Sequence, residues 1–194
     1  MAHTPGKRAA RRAPYFVVRR SSVHGRGAFA LRRILKGTRI VEYLGERVSH
    51  READRRYQDR DTRDNHTFLF IVDARTVIDA GAGGNEARFI NHSCNPNCET
   101  VIEAKRVYIE AIRTIEPGEE LSYDYQLARS PDDPPDVDAI YACRCGQPEC
   151  RGSMLWPPKK PPAEVKRIGK RPAGVRADKR STARKRRADT TARR

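Results

Sequence analysis

Arg88-Phe89-Ile90-Asn91-His92-Ser93-Cys94-Asn95-Pro96-Asn97-Cys98 crowds asparagine, histidine, serine, proline and two cysteines into one short stretch. Side chains of this kind bond to nearby backbone in place of a helix or sheet ladder, so the stretch predicts a loop. Asn91 offers a carbonyl and two N–H donors, and His92 offers one acceptor and one donor. Those groups complement a bound adenine or another polar cofactor; the same composition also suits a turn network built around Cys94. The thiols point to a partner segment downstream, Cys143-Arg144-Cys145-Gly146-Gln147-Pro148-Glu149-Cys150, which Gly146 and Pro148 turn back on itself. Zinc in a closed site takes four ligands. That run supplies three, leaving the fourth to Cys94 or Cys98, with His92 a weaker candidate. An odd set of five cysteines, all between Cys94 and Cys150, suits a metal site in a reducing compartment better than a disulfide framework. With four ligands taken, the metal would join two distant segments and would not activate water.

Further out, Gly118-Glu119-Glu120-Leu121-Ser122-Tyr123-Asp124-Tyr125 places two tyrosines two residues apart. In extended backbone both rings face one side. With Tyr43 they could line an aromatic channel that attracts an alkylammonium, or serve as cross-strand packing. Ser22-Val23-His24-Gly25-Arg26-Gly27 lacks the lysine-serine/threonine ending of a phosphate loop, which argues against a nucleoside triphosphate. Strands are predicted at Tyr15–Arg19, Gly27–Ala30, Ile40–Val48, Phe68–Val72, Thr76–Asp79 and Val107–Ala111. A helix capped by Ser49, with Glu52 three residues on, is predicted to run to Asp61. Pro131–Asp138 is unsuited to a helix or central strand. The fold class is mostly β, with many short strands and few helices.

Charge is unevenly spread. Of 194 residues, 40 are Lys or Arg and 25 Asp or Glu, a formal net charge of +15. From Pro157 onward lie 15 basic and 3 acidic residues, and Met1–Pro14 holds 4 basic and no acidic ones. Tyr15–Trp156 is close to neutral. The tail after Trp156 shows no apolar period and is expected to be disordered, making non-specific, salt-sensitive contact with nucleic acid. No apolar run approaches the roughly 18 residues a membrane span needs, and the basic start has no apolar segment behind it to act as a secretory signal.

Taken in order, these segments resemble the SET-domain protein lysine methyltransferases with a cysteine-rich post-SET segment. The matching stretches are Gly25–Ala30, Glu42–Glu46, Val77–Ala80 with Gly84-Asn85, Arg88–Cys98, Gly118–Tyr125 and Cys143–Gly152, together spanning about Tyr15 to Trp156. The resemblance implies small curved sheets, short helices, a pseudoknot threaded by Arg88–Cys98, and a C-terminal post-SET zinc knot. General topology rules give such threading a very low prior. It further implies S-adenosylmethionine as cofactor, held by the backbone around Arg26 and Gly27 and by Asn91 and His92. Leu155 and Trp156 would close over the adenine. One structural zinc ion would sit on Cys94, Cys143, Cys145 and Cys150, leaving Cys98 uncommitted.

Tyr125 is then the expected catalytic residue, Tyr43 a wall of the lysine channel, and Tyr123 the residue that limits transfer mainly to one methyl. The implied layout is a basic tail over 1–14, a SET domain over 15–130, an acidic, proline-rich connector over 131–140, a post-SET segment over 141–156 and a basic tail over 157–194. The implied substrate is a lysine in a basic protein, whether histone, histone-like or ribosomal. Richness in Arg and Ala leans toward a bacterial source, cytoplasmic or nucleoid-associated; a eukaryotic source would place the chain on nuclear chromatin. Phe68 stands where many relatives have tyrosine. Phe68 and the long basic tail speak for a rival reading, a catalytically weak protein of the same fold that binds chromatin or nucleic acid; the presence of Tyr43, Asn91, His92 and Tyr125 argues against it and for the methyltransferase.

Overall fold

The computed structural model describes residues 13–58 and 67–157. β1 (Phe16–Arg20) and β2 (Arg26–Ala30) form the first antiparallel hairpin, with Arg19 opposite Gly27. The expected single strand Ile40–Val48 is instead two, β3 (Arg39–Glu42) and β4 (Glu46–Val48), in different sheets. The break has a local cause. The Asn85 side chain occupies the place of a strand partner, donating to the Glu42 carbonyl at 2.7 Å and accepting from the Leu44 N–H at 3.2 Å. At Gly45 the backbone of Asp79 and Ala80 comes so close that a Cβ would lie 2.5 Å from the Asp79 carbonyl oxygen.

α1 (His50–Tyr57) starts as predicted, its Ser49 Oγ accepting from the Glu52 N–H at 3.2 Å; the predicted extension past Gln58 lies outside the described residues. β5 (Leu69–Asp73) and β6 (Thr76–Asp79) form the predicted hairpin, in a sheet ordered β4–β6–β5. The Arg88–Cys98 stretch is less irregular than its composition suggests. A 3-10 turn over Glu86–Phe89 leads into β7 (Asn91–His92), and Cys98 opens β8 (Cys98–Glu103). β8 pairs with β9 (Arg106–Ala111) in a sheet ordered β3–β9–β8.

β10 (Ser122–Tyr123) runs parallel to β7, Ser122 beside Asn91 and Tyr123 beside His92. β11 (Leu127–Ala128) is followed by α2 (Val137–Ile140), whose first residues fall in the stretch read as unsuited to helix, and then by β12 (Leu155–Trp156), parallel to β11. Of the two basic tails, 1–14 and 157–194, residues 1–12 and 158–194 lie outside the described residues, and so does the expected disorder.

The core positions the site. Ile34, Ile90, Ile109, Ile115 and Leu121 are fully buried, each contributing roughly 1.5–3 kcal/mol by leaving water. Ile90 and Leu121 directly precede β7 and β10, so burial anchors both members of the parallel pair. Asn97 then clasps the two segments: its amide donates to the Glu120 carbonyl at 2.8 Å and its oxygen accepts from the Ser122 N–H at 2.9 Å. The resemblance places its knot at this parallel pair and the Asn97 bonds beside it.

A tyrosine cleft beside a four-thiol cluster

An open cleft of about 1400 Å³ is lined by Arg26, Tyr43, Asn91, His92, Tyr123, Tyr125 and Leu155. Seven of the residues singled out in the sequence, drawn from five separate stretches, thus meet at one surface. Gly27 and Trp156 are not part of the cleft wall; Trp156 is 44% exposed.

Tyr123 and Tyr125 face the same way, their ring centroids 4.8 Å apart. The Tyr125 hydroxyl donates to the Ile90 carbonyl at 2.9 Å, and the Tyr43 hydroxyl donates to the Phe68 carbonyl at 3.1 Å. Each hydroxyl thus spends its proton on a backbone carbonyl and keeps its oxygen as an acceptor. Burial raises the pKa of all three tyrosines, so none is a phenolate at neutral pH.

His92 is buried, and burial pushes its pKa down to about 4, with Arg151 adding to the effect and Asp124 opposing it. The neutral ring accepts the Tyr125 N–H at Nδ1, 3.1 Å away, which leaves the proton on Nε2, 3.5 Å from the Cys94 sulfur. Asp124 Oδ1 approaches Nδ1 to 3.5 Å, but a neutral imidazole makes no ion pair with it. Both ring nitrogens are thus committed to the protein, and His92 orients Tyr125. The Asn91 amide nitrogen is committed as well, donating to Glu120 at 2.7 Å, to the Arg26 carbonyl at 3.0 Å and to the His24 carbonyl at 3.3 Å. Its oxygen is left as the acceptor for a ligand.

The sulfur atoms of Cys94, Cys143, Cys145 and Cys150 all lie within 4.8 Å of one another. Cys94 Sγ is 3.6 Å from that of Cys143 and 3.9 Å from that of Cys150. A tetrahedron of zinc–sulfur bonds of about 2.3 Å requires sulfur separations of about 3.8 Å, whereas a disulfide would bring two sulfurs to about 2.05 Å. Backbone N–H groups of Cys145, Arg151 and Gly152 point at sulfurs from 3.4 Å, as suits thiolates. The cluster could hold one soft metal ion. Cys98, the sequence's other candidate, is buried elsewhere with its thiol pushed up to about 12 by burial.

Several neighbours went unassigned in the sequence. Glu120 holds Ser21 as well as Asn91. Arg88 and Arg26 stack on Phe89, and Arg88 also faces Phe68. Arg151 clamps Asp124 with two bonds of 2.7 and 2.8 Å. Only the last pair carried a signal, an arginine directly after the final cysteine and an acid between the two tyrosines. Of the acidic connector, Asp133 lines the cleft, while Asp138 pairs with Arg129.

A SET-domain family profile matches residues 25–126. The chain belongs to the SET-domain family. Residues of this SET-domain chain are 39% identical over 141 positions to histone-lysine N-methyltransferase trithorax of Drosophila virilis, covering 71% of the chain and 4% of that protein. They are 40% identical over 140 positions to an H3 lysine-4 specific histone-lysine N-methyltransferase of Candida albicans, and 41% identical over 141 positions to that of Saccharomyces cerevisiae. Each match covers 70% of the chain and 13% of the relative. The SET-domain chain therefore spans only a small part of these relatives. They come from an insect and from fungi, so the compositional lean toward a bacterial source gains no support.

Proposed function

We propose that this chain is an S-adenosylmethionine-dependent protein-lysine N-methyltransferase acting on a lysine in a histone tail or a similar basic protein segment, which would place it on chromatin. The observation that carries the reading is the convergence of Tyr43, Tyr123, Tyr125, Asn91 and Arg26 on one cleft inside a SET domain. S-adenosylmethionine, when bound, supplies an electrophilic methyl on a sulfonium. Arg26 and the Asn91 oxygen would hold it, and the β11–β12 pairing brings Leu155 over the same cleft. Zinc suits the thiol cluster as its structural metal, on Cys94, Cys143, Cys145 and Cys150.

The lysine must arrive as a neutral amine although its free pKa is near 10.4. Buried aromatic walls disfavour its charged form by desolvation, and the lone pairs of Tyr43 and Tyr125 orient the remaining N–H groups. Tyr125 acts through placement and polarity. With its pKa raised by burial, it is no general base at neutral pH. The substrate backbone has a ready edge: β5 ends its sheet, and Thr67–Ile71 line the cleft. An extended peptide can add to that edge and direct one lysine inward.

Tyr123 would restrict the product to monomethyllysine. It is buried, and unlike Tyr43 and Tyr125 its hydroxyl bonds no backbone carbonyl among the described residues. It is left to hold the amine or a water in the room a second methyl needs. The run from Pro157 would add salt-sensitive affinity for nucleic acid through its excess of basic residues.

The test is incubation of the full chain with labelled S-adenosylmethionine and histones or basic peptides. Label should appear on lysine, and Tyr125→Phe should lower the rate about 100-fold with little change in S-adenosylhomocysteine affinity. Failure to label any protein, with S-adenosylhomocysteine still bound, would favour a catalytically weak binding protein.

A further inference from the structure

Arg151 touches three parts of the molecule that are otherwise separate. Its backbone N–H points at the Cys94 sulfur from 3.4 Å, inside the thiol cluster. Its guanidinium grips both oxygens of Asp124, the residue between Tyr123 and Tyr125, at 2.7 and 2.8 Å. The same guanidinium lies 5.3 Å from the ring centroid of Trp156 on β12. The Arg151 and Asp124 side chains are only 15% and 17% exposed, so water screens the pair weakly.

Asp124 in turn shapes the chain around Tyr125. Its Oδ1 accepts the Gln126 N–H at 3.2 Å, and Gln126 sits at a φ of 48°, a left-handed conformation that reverses the backbone. That reversal sends the chain from the tyrosines into β11, which pairs with β12. A residue without glycine's freedom holds such a φ only when its surroundings enforce it. Here the enforcing group is the Asp124 carboxylate, and the group that fixes the carboxylate is Arg151.

We propose that Arg151 is a positioning residue which, through its two-pronged bond to Asp124, transmits occupancy of the four-thiol site to the placement of Tyr125 and of the β11–β12 closure over the cleft. The proposal rests on the methyl-donor reading of the cleft. With metal bound, Cys94 and Cys150 hold the Arg151 backbone in place and the guanidinium sets Asp124. Without metal, the backbone carrying Arg151 is released, the carboxylate loses its clamp, and the reversal at Gln126 relaxes. Metal and methyl donor would then bind with positive coupling.

The experiment uses the full chain loaded with zinc, in four forms: unmodified, Asp124→Asn, Arg151→Gln and the double variant. Elemental analysis gives zinc per chain, and calorimetry gives S-adenosylhomocysteine affinity before and after chelation. Quenching of Trp156, the chain's single tryptophan, follows the closing strand. Asp124→Asn is the more informative single change, because asparagine can still accept the Gln126 N–H and does not contact Trp156.

In the unmodified protein, chelation should weaken S-adenosylhomocysteine binding about 10- to 100-fold, the scale of one or two charged hydrogen bonds. Each single variant should keep one zinc, bind S-adenosylhomocysteine as weakly as the chelated protein, show stronger quenching of the already part-exposed Trp156, and lose less than about twofold more on chelation. The double variant should be no weaker than either single, since both remove one interaction. Three results overturn the proposal alone: single variants that bind as tightly as the unmodified chain, losses that multiply in the double variant, or loss of zinc from either single. Absence of binding by the unmodified, zinc-loaded chain overturns the proposal together with the methyl-donor reading.

Discussion

Gly27→Ala should damage ligand binding at a residue that does not line the cleft. The Gly27 Cα faces the Glu120 carboxylate, where an added Cβ would lie 2.7 Å from Cδ, closer still to Oε1, and 2.9 Å from the Ser21 Cβ. Ordinary contact requires about 3.5 Å or more, so the carboxylate must move by about 1 Å. It is not free to do so. It accepts from the Ser21 hydroxyl at 2.8 and 2.9 Å and from the Asn91 amide at 2.7 Å. Hydrogen bonds to a charged partner contribute about 1.5–3 kcal/mol each. Glu120 is half-buried and recovers part of that from water, which leaves a loss of about 2–4 kcal/mol. Alanine returns about 0.4–1 kcal/mol by restricting the unfolded chain. The net expectation is destabilisation by about 1.5–3 kcal/mol, read as a fall in the urea midpoint at unchanged slope. S-adenosylhomocysteine affinity, measured by calorimetry, should fall as well, because Asn91 loses its strongest anchor. Glu120→Ala should produce a similar loss, and adding Gly27→Ala to it should cost less than it does in the unmodified chain, since only the Ser21 Cβ at 2.9 Å then stands in the way. A stabilised or unchanged Gly27→Ala protein would refute the reasoning, showing that the carboxylate yields without cost.

Three further outcomes are expected. Asp79 is 3% exposed; burial alone would raise its pKa, but bonds from Arg56, Tyr57 and the Gly81 N–H outweigh it and hold the group below the ordinary carboxylate value. Its stabilisation is complete above the unfolded-state pKa of about 3.9 and is lost as pH falls through the lower folded value; Asp79→Asn should flatten that part of an acid titration of the urea midpoint and lower stability at pH 7. Cys98→Ser should retain one zinc per chain by elemental analysis, while serine at Cys94, Cys143, Cys145 or Cys150 should lose it and lower both stability and S-adenosylhomocysteine affinity. Tyr123→Phe should shift the product from mono- toward di- and trimethyllysine, followed by intact-peptide mass spectrometry over time; early trimethylation by the unmodified chain would remove Tyr123 from that role.

Local chemistry determined by itself what a short window can encode. Ser49 and Glu52 announce a helix start because a hydroxyl and an N–H three residues apart meet in one turn. Three closely spaced cysteines announce a metal site, and Tyr123 and Tyr125 face together because extended backbone alternates. What the window cannot hold is which distant groups come to meet it. The strand through Tyr43 breaks because the Asn85 side chain takes the strand's bonds and the backbone of Asp79 and Ala80 closes on Gly45. Cys94, and not Cys98, joins the thiol cluster because β8 carries Cys98 into the core. The His92 ring turned out to be committed on both sides, to Tyr125 and to the Cys94 sulfur, and no composition could announce that. The parallel β7–β10 pair, the clamp from Arg151 to Asp124 and the carboxylate above Gly27 all join residues remote in sequence. Such contacts depend on packing between distant segments, of which the buried Ile90 and Leu121 beside β7 and β10 are one anchor, so it was tertiary packing that turned a list of suitable side chains into one site.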